Sequence, residues 1–237
     1  MKSYRGNAIA VGVLFILCSA ASILSIVPLG ATVGAPVDFA KLAGSDNAVV
    51  MTALIEFVWA ATGMGIAIAL YPVLRLFNPT LALGSVVGRV VENVFILIGT
   101  LSLLALLTVS QQAAGSAASS SFQVTGDALV AVRDWVHGFV AMIPFGIGSL
   151  MYSYVLYRSR LIPRWLSGWG LVGGALNLVA TVNTGFTQDF GFTTVNSVLS
   201  APIGLQEMVL AVWLIVKGFN PSAVCSIAPS AVRSMTP

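Results

Sequence analysis

The sequence predicts an all-α membrane protein: a polytopic bundle of six transmembrane helices with both termini in the cytoplasm. Three observations carry that reading. Charged residues make up only 8% of the chain and hydrophobic residues 57%, with a mean hydropathy of +0.96, whereas a water-soluble domain carries roughly a quarter charged residues. The apolar residues gather into six runs, each about as long as the ~20-residue helix that crosses a bilayer. The Lys and Arg residues between those runs fall almost entirely on one side.

The runs cover approximately residues 7–29, 50–76, 81–109, 128–157, 166–186 and 199–218. The first follows Lys2 and Arg5 and is longer than the apolar core of a secretory signal. No small-residue cleavage site comes after it, so an uncleaved helix is expected. Residues 31–47 are polar and contain Gly and Pro, as an external loop would. The second run ends at Arg75, and Asn78-Pro79 makes a tight cytoplasmic turn into the third. Residues 111–127, rich in Ser, Ala and Gly, read as a flexible external loop before the fourth run. RSRLIPRW (158–165) is a short basic cytoplasmic turn into the fifth. Residues 221–237 show no periodicity, so the expected organisation is a transmembrane domain (1–220) and a disordered cytoplasmic tail (221–237).

Orientation follows from the cations. Lys2, Arg5, Arg75, Arg158, Arg160, Arg164, Lys217 and Arg233 share one side of this topology, against Lys41 alone on the other. The positive-inside rule puts the first side in the cytoplasm. Trp165 and Trp169 then sit at the inner interface, and Trp59 and Trp135 near the outer one. The scattered cations flank apolar segments and do not form a nucleic-acid surface. Cys18 and Cys225 belong to no CxxC or His/Cys cluster, so neither a disulfide framework nor a zinc site is expected. The second and sixth runs both end in a cation followed by Phe-Asn-Pro (77–79 and 219–221). This fits a parallel repeat of helical hairpins, or merely two inward-going helices stopped the same way.

The residues with chemical potential lie inside the runs. Arg89 and Glu92 stand three apart, on one face of the third helix. At ~1.5 Å per residue, Arg89, Glu92 and Glu207 fall near mid-membrane, where each charge is costly and needs a partner. Glu56, Arg133, Asp134 and His137 fall near the outer interface, where headgroup water can satisfy them. Two arginines therefore face four carboxylates, a surplus that protonation, a bound cation or outer wetting would have to resolve. A bridge from Arg89 to Glu92 or Glu207 that only fixes helix packing competes with a binding site.

Small residues surround these positions. Gly84 and Gly88 form one GxxxG and Gly170 and Gly174 another. Gly170, Gly174, Asn177, Thr181 and Thr184 make a stripe on the fifth helix; Glu56, Ala60, Gly63, Ala67 and Tyr71 make one on the second. Such stripes serve close helix packing more often than a ligand path. Pro144 and Pro202 interrupt the fourth and sixth runs, where a broken helix can open a mid-membrane site, although membrane helices also tolerate proline without any function. His137 is the sole histidine, so no paired heme ligation or metal site is expected. No nucleophile-elbow, HExxH or Walker motif marks catalysis.

Four motifs resemble a known family: LYPVLRLFNPTLAL (70–83), the R-x-x-E of Arg89 and Glu92, SRLIPRWLSGWG (159–170), and the Pro202-to-Glu207 spacing followed by WLIVKGF. Together they are similar to an uncharacterised prokaryotic family of six-helix integral membrane proteins, a domain of unknown function (DUF4386). The resemblance spans nearly the whole chain and implies a multi-pass protein of the prokaryotic plasma (inner) membrane. It implies no activity and no cofactor. The residues alone leave three roles open. The first is a structural or accessory subunit that meets a membrane-protein partner or another copy through lipid-facing surfaces. The second is a small-molecule, proton or cation carrier at Arg89, Glu92 and Glu207. The third and most remote is an intramembrane enzyme.

Overall fold

The computed structural model describes residues 4–30, 33–114, 120–191 and 193–225. Lys2, Arg233 and the tail beyond Cys225 lie outside the described residues. Within them the chain is helical, and six helical stretches are long and apolar enough to cross a membrane. In chain order these are α1 (Arg5–Leu24), α3 (Asp46–Leu74), α4 (Pro79–Ala114), the continuous α5–α6 stretch, α7 (Arg164–Thr187) and α8 (Thr194–Val216). Within the α5–α6 stretch, α5 (Ser120–Trp135) and α6 (Met142–Ser159) are joined by a π-helical turn over Val136–Val140. Two short helices complete the set: α2 (Phe39–Ala43) before α3, and α9 (Pro221–Cys225) at the start of the tail.

Local chemistry sets many of the ends. Asn78 Oδ1 accepts the Leu81 N–H at 2.9 Å, and Pro79 fills the first position of α4, where no donor is needed. Asn220 and Pro221 repeat the device at α9, with Asn220 Oδ1 taking the Ser222 N–H at 3.1 Å. The shared Phe-Asn-Pro therefore has a sufficient local cause, a side-chain cap followed by proline. Asp38 caps α2 and Thr193 caps α8 in the same manner.

The helices form a closed ring in chain order. Helix α1 packs on α3, α3 on α4, α4 on α6, α6 on α7, α7 on α8, and α8 returns to α1. Arg5 fastens that closure by donating to the carbonyls of Leu214 (3.3 Å), Ile215 (2.5 Å) and Val216 (3.3 Å) at the end of α8. We call this the basic end. Only 33–50% of each span is buried inside the protein. Leu54, Leu101, Val198 and Phe186 project outward, the last 87% exposed. Apolar surface on that scale is tenable in lipid, not in water.

Two apolar cores stack along the bundle axis. The core at the basic end contains Phe15, Ile66, Leu70, Tyr152, Leu156, Leu166 and Leu210. The far core contains Leu42, Val49, Leu103, Leu106 and Val130. On α4 the buried polar residues Ser85, Arg89, Glu92, Asn93 and Thr100 lie between Ala82 of the first core and Leu103 of the second. The polar residues are thus held between two apolar layers.

One expectation is overturned here. Residues 111–114 and 120–127 are helix rather than loop, because α4 runs on to Ala114 and α5 already begins at Ser120; residues 115–119 lie outside the described residues. Tertiary contacts organise this Ser/Ala/Gly stretch. Asp127 Oδ1 accepts the Val37 N–H and the Gln123 Nε2–H, both at 3.0 Å. A side chain at Gly126 would lie 2.9 Å from the Phe39 ring, so only glycine lets α5 close over that aromatic. At ~1.5 Å per residue, the 36 residues of α4 reach about 54 Å, well beyond a hydrocarbon core of ~30 Å.

The prolines do not break their helices as expected. Helix α8 continues through Pro202 and α3 through Pro72. Before Pro144, the Ala141 N–H reaches back five residues to the Val136 carbonyl at 2.9 Å. This wide turn restarts the ladder, so Pro144 falls in the first turn of α6, where its missing donor costs nothing.

Candidate functional site

Arg89 is the centre of the inner cluster. Its position on α4 puts the side chain inside the ring, 2% exposed, where only other buried side chains can satisfy it. Nη1 donates to both oxygens of Glu92 at 3.3 Å, a contact that the i,i+3 spacing supplies locally. Nη2 donates to Glu207 Oε1 at 2.7 Å, across from α8. Tyr152 of α6 donates its hydroxyl to the same oxygen at 3.1 Å. The guanidinium lies 4.6 Å from the Phe145 ring centre and 6.0 Å from that of Phe15. Rings at this range stabilise a desolvated cation.

Asn93, Ser153 and Gln206, next in sequence to Glu92, Tyr152 and Glu207, are buried and incompletely paired. Asn93 Nδ2 donates to the Arg89 carbonyl at 2.7 Å, and Gln206 Nε2 donates to the Leu166 carbonyl at 3.3 Å. Arg89 Nε, Asn93 Oδ1, Ser153 Oγ and Gln206 Oε1 are buried and have no hydrogen-bond partner among the described residues. Taken as ionised groups, Arg89, Glu92 and Glu207 sum to one negative charge.

The outer cluster is built differently. Glu56 of α3 accepts both Nη1 (3.3 Å) and Nη2 of Arg133 from α5. Thr100 of α4 donates to Glu56 Oε2 at 2.6 Å, and the Gly99 carbonyl takes a further Arg133 hydrogen bond at 3.0 Å. Glu56 is 1% exposed. The expectation that headgroup water satisfies this carboxylate is therefore wrong. Arg133 and Thr100 on neighbouring helices, both inside the predicted spans, stand where water was expected at this carboxylate.

Asp134 and His137 are not joined to each other. His137 Nε2 lies 3.3 Å from the Ile96 carbonyl, and its ring packs 6.0 Å from Trp59. Asp134 is half-buried and makes no ion pair among the described residues. Gly99 leaves the space that the imidazole occupies.

The glycines stand where helices touch. A Cβ at Gly88 would lie 2.8 Å from the Pro144 carbonyl oxygen and 3.0 Å from Gly148 Cα, so α4 and α6 meet there backbone to backbone. Gly84 faces Met151 on the same seam. Gly170 and Gly174 face the hydroxyls of Ser153 and Ser149, which brings α7 against α6. Gly168, Gly170 and Gly173 spell G-x-G-x-x-G. It lies inside α7 with no strand before it and packs on α6 and α8, so it is not a dinucleotide loop.

Spacing and depth pointed to Arg89, Glu92 and Glu207. They gave no sign of Tyr152, Thr100, Phe15 or Phe145, which read in the sequence like any other core residue. Among the described residues, no three His, Cys, Asp or Glu side chains converge as metal ligands would. The arrangement can hold charge away from lipid, and its inner cluster pairs one arginine with two carboxylates.

No curated protein and no solved structure matches this chain. Residues 10–218 do match a family model, which takes in most of α1, the other five spans and both polar clusters: the chain belongs to the family described as a domain of unknown function, DUF4386.

Proposed function

We propose that this protein is a structural or accessory subunit of a prokaryotic inner membrane, with both termini cytoplasmic and the Arg89 network fixing the bundle. One observation supports this most directly. A single side chain, Arg89, is bonded to carboxylates on α4 and α8 and covered by rings from α1 and α6. Four of the six helices are thereby tied at one buried point, the arrangement expected of a rigid scaffold. Its partner, another membrane protein or a second copy, then meets the apolar outer faces of the ring. Photo-crosslinking in native membranes from Leu54, Leu101 and Phe186 tests the idea. Discrete protein adducts from one side of the ring are expected; lipid adducts alone from every side would sink it.

A second reading, a carrier of a proton, cation or small molecule at the same cluster, draws on a specific observation. One arginine faces two carboxylates, and buried acceptors on Asn93 and Gln206 lack donors. In proteoliposomes, a carrier would dissipate an imposed proton or sodium gradient, and Glu92→Gln or Glu207→Gln would stop it while the protein stays folded. Parental protein that moves neither ion would leave the structural reading alone.

A further inference from the structure

At the basic end, away from both polar clusters, a hollow of about 590 Å³ opens between the α6–α7 turn and the turn after α8. That volume falls in the ~300–1,000 Å³ range of small-ligand sites. Arg160, Arg164 and Lys217 line it, all three exposed, and no carboxylate is among its lining residues. A second hollow of about 430 Å³ shares Trp213 and Lys217 with the first and continues along the outer face of α8. Its other walls are Met208, Val209, Val212 and Val216, so it is apolar where the first is cationic.

The walls are held in place. The Asn220 N–H donates to the Leu161 carbonyl at 2.8 Å, and Asn220 Nδ2 to the Arg160 carbonyl at 3.4 Å. These bonds stitch the two turns together over the buried side chains of Leu161 and Phe219. The Arg164 guanidinium lies 5.3 Å from the Tyr157 ring centre, which orients it without neutralising it. Arg160 holds a left-handed backbone (φ 55°) at the end of α6, a conformation usually left to glycine or asparagine.

We infer that the paired hollows form a binding site for one anionic phospholipid. Its phosphodiester sits among Arg160, Arg164 and Lys217, and one acyl chain lies along Val212 and Val216. The chemistry on each side selects this occupant. Guanidinium forks and an ammonium match phosphate oxygens, and basic hollows between membrane helices suit anionic headgroups. The apolar continuation along α8 gives a tail a place that free phosphate has no use for. Trp213 stands at the junction, where an amphipathic ring belongs at headgroup level. A zwitterionic lipid brings its own cation into a site that already holds three.

The test uses the full chain purified in mild detergent, with dioleoyl phosphatidylglycerol, dioleoyl phosphatidylcholine and inorganic phosphate as probes. Phosphatidylglycerol should raise the unfolding temperature at concentrations where the other two do not. The triple variant R160Q/R164Q/K217Q should need at least about tenfold more phosphatidylglycerol for the same shift. R75Q/R158Q removes cations that line neither hollow and should bind as the parent does. Phosphatidylglycerol with brominated acyl chains should quench more tryptophan emission in the parent than in W213F, a readout that survives if the triple variant fails to fold. Equal shifts from both lipids, or an equal loss in R75Q/R158Q, would reduce the site to diffuse surface charge and overturn the proposal. A shift from inorganic phosphate as large as the lipid's would overturn it too, as would quenching that W213F leaves unchanged.

Discussion

Arg89 and Arg133 meet the same difficulty, a guanidinium among apolar helices, by different means. Arg133 has one carboxylate, Glu56, which is 77 residues away in sequence and is further held by Thr100 and backed by the Gly99 carbonyl. That cluster is neutral as it stands. Arg89 has two carboxylates, one supplied by its own helix and one from α8, and aromatic faces where Arg133 has a carbonyl. The side chain of Arg133 is 15% exposed and that of Arg89 only 3%. The comparison teaches that burial and charge balance need not coincide. The more deeply buried cluster is the one with unequal numbers of cations and carboxylates.

Removing each arginine separates the two clusters most sharply. Arg89→Leu strands two buried carboxylates and should cost about 3–5 kcal/mol. Arg133→Leu strands one, which keeps Thr100, and should cost about 3 kcal/mol. Unfolding titrations in mixed detergent measure both; a larger loss for Arg133→Leu would reverse the ranking of the clusters.

Removing charges together tests balance directly. Arg133→Leu with Glu56→Leu should recover most of the loss, because nothing charged remains. Arg89→Leu with Glu207→Leu should recover less, because Glu92 stays behind without its cation. Full recovery in that double variant would mean that Glu92 carries no charge in the folded protein.

Smaller changes address the uncharged partners. Thr100→Val deletes a hydrogen bond to a carboxylate and should cost about 2 kcal/mol, and Tyr152→Phe about 1 kcal/mol, since Glu207 keeps Arg89. The same titration resolves the two. Equal losses would indicate that Glu207 leans on Tyr152 as heavily as Glu56 leans on Thr100.

Much of the inner cluster was legible beforehand. The three-residue spacing of Arg89 and Glu92 is a helix-face argument that needs no tertiary information, and Glu207 follows by counting depth from the end of its run. The outer cluster was legible as a set of residues but not as a buried pair. Depth counted from the cytoplasmic ends set Glu56 and Arg133 toward the outer ends of their spans, and depth alone does not say whether a side chain there meets water or a neighbouring helix. Helix α5 there closes on Val37 and Phe39 through Asp127 and Gly126, with Val37 and Asp127 90 residues apart, and no local pattern records that meeting. The closed ring was also invisible, since hydropathy gives the number of spans and not which of them touch.

The order of helices around the ring has a consequence during synthesis. Arg89 and Glu207 are separated by 118 residues. At ~5–20 residues per second, α4 waits on the order of ten seconds for α8 to leave the ribosome. Throughout that interval Arg89 has Glu92 within reach on its own helix, so α4 can enter the bilayer as a locally paired segment. Arg133 has no such companion on the α5–α6 stretch except Asp134, but Glu56 on α3 has already been inserted when it arrives. Each arginine thus finds an acid made before or beside it, and the last helix completes a site that was never left as a naked charge.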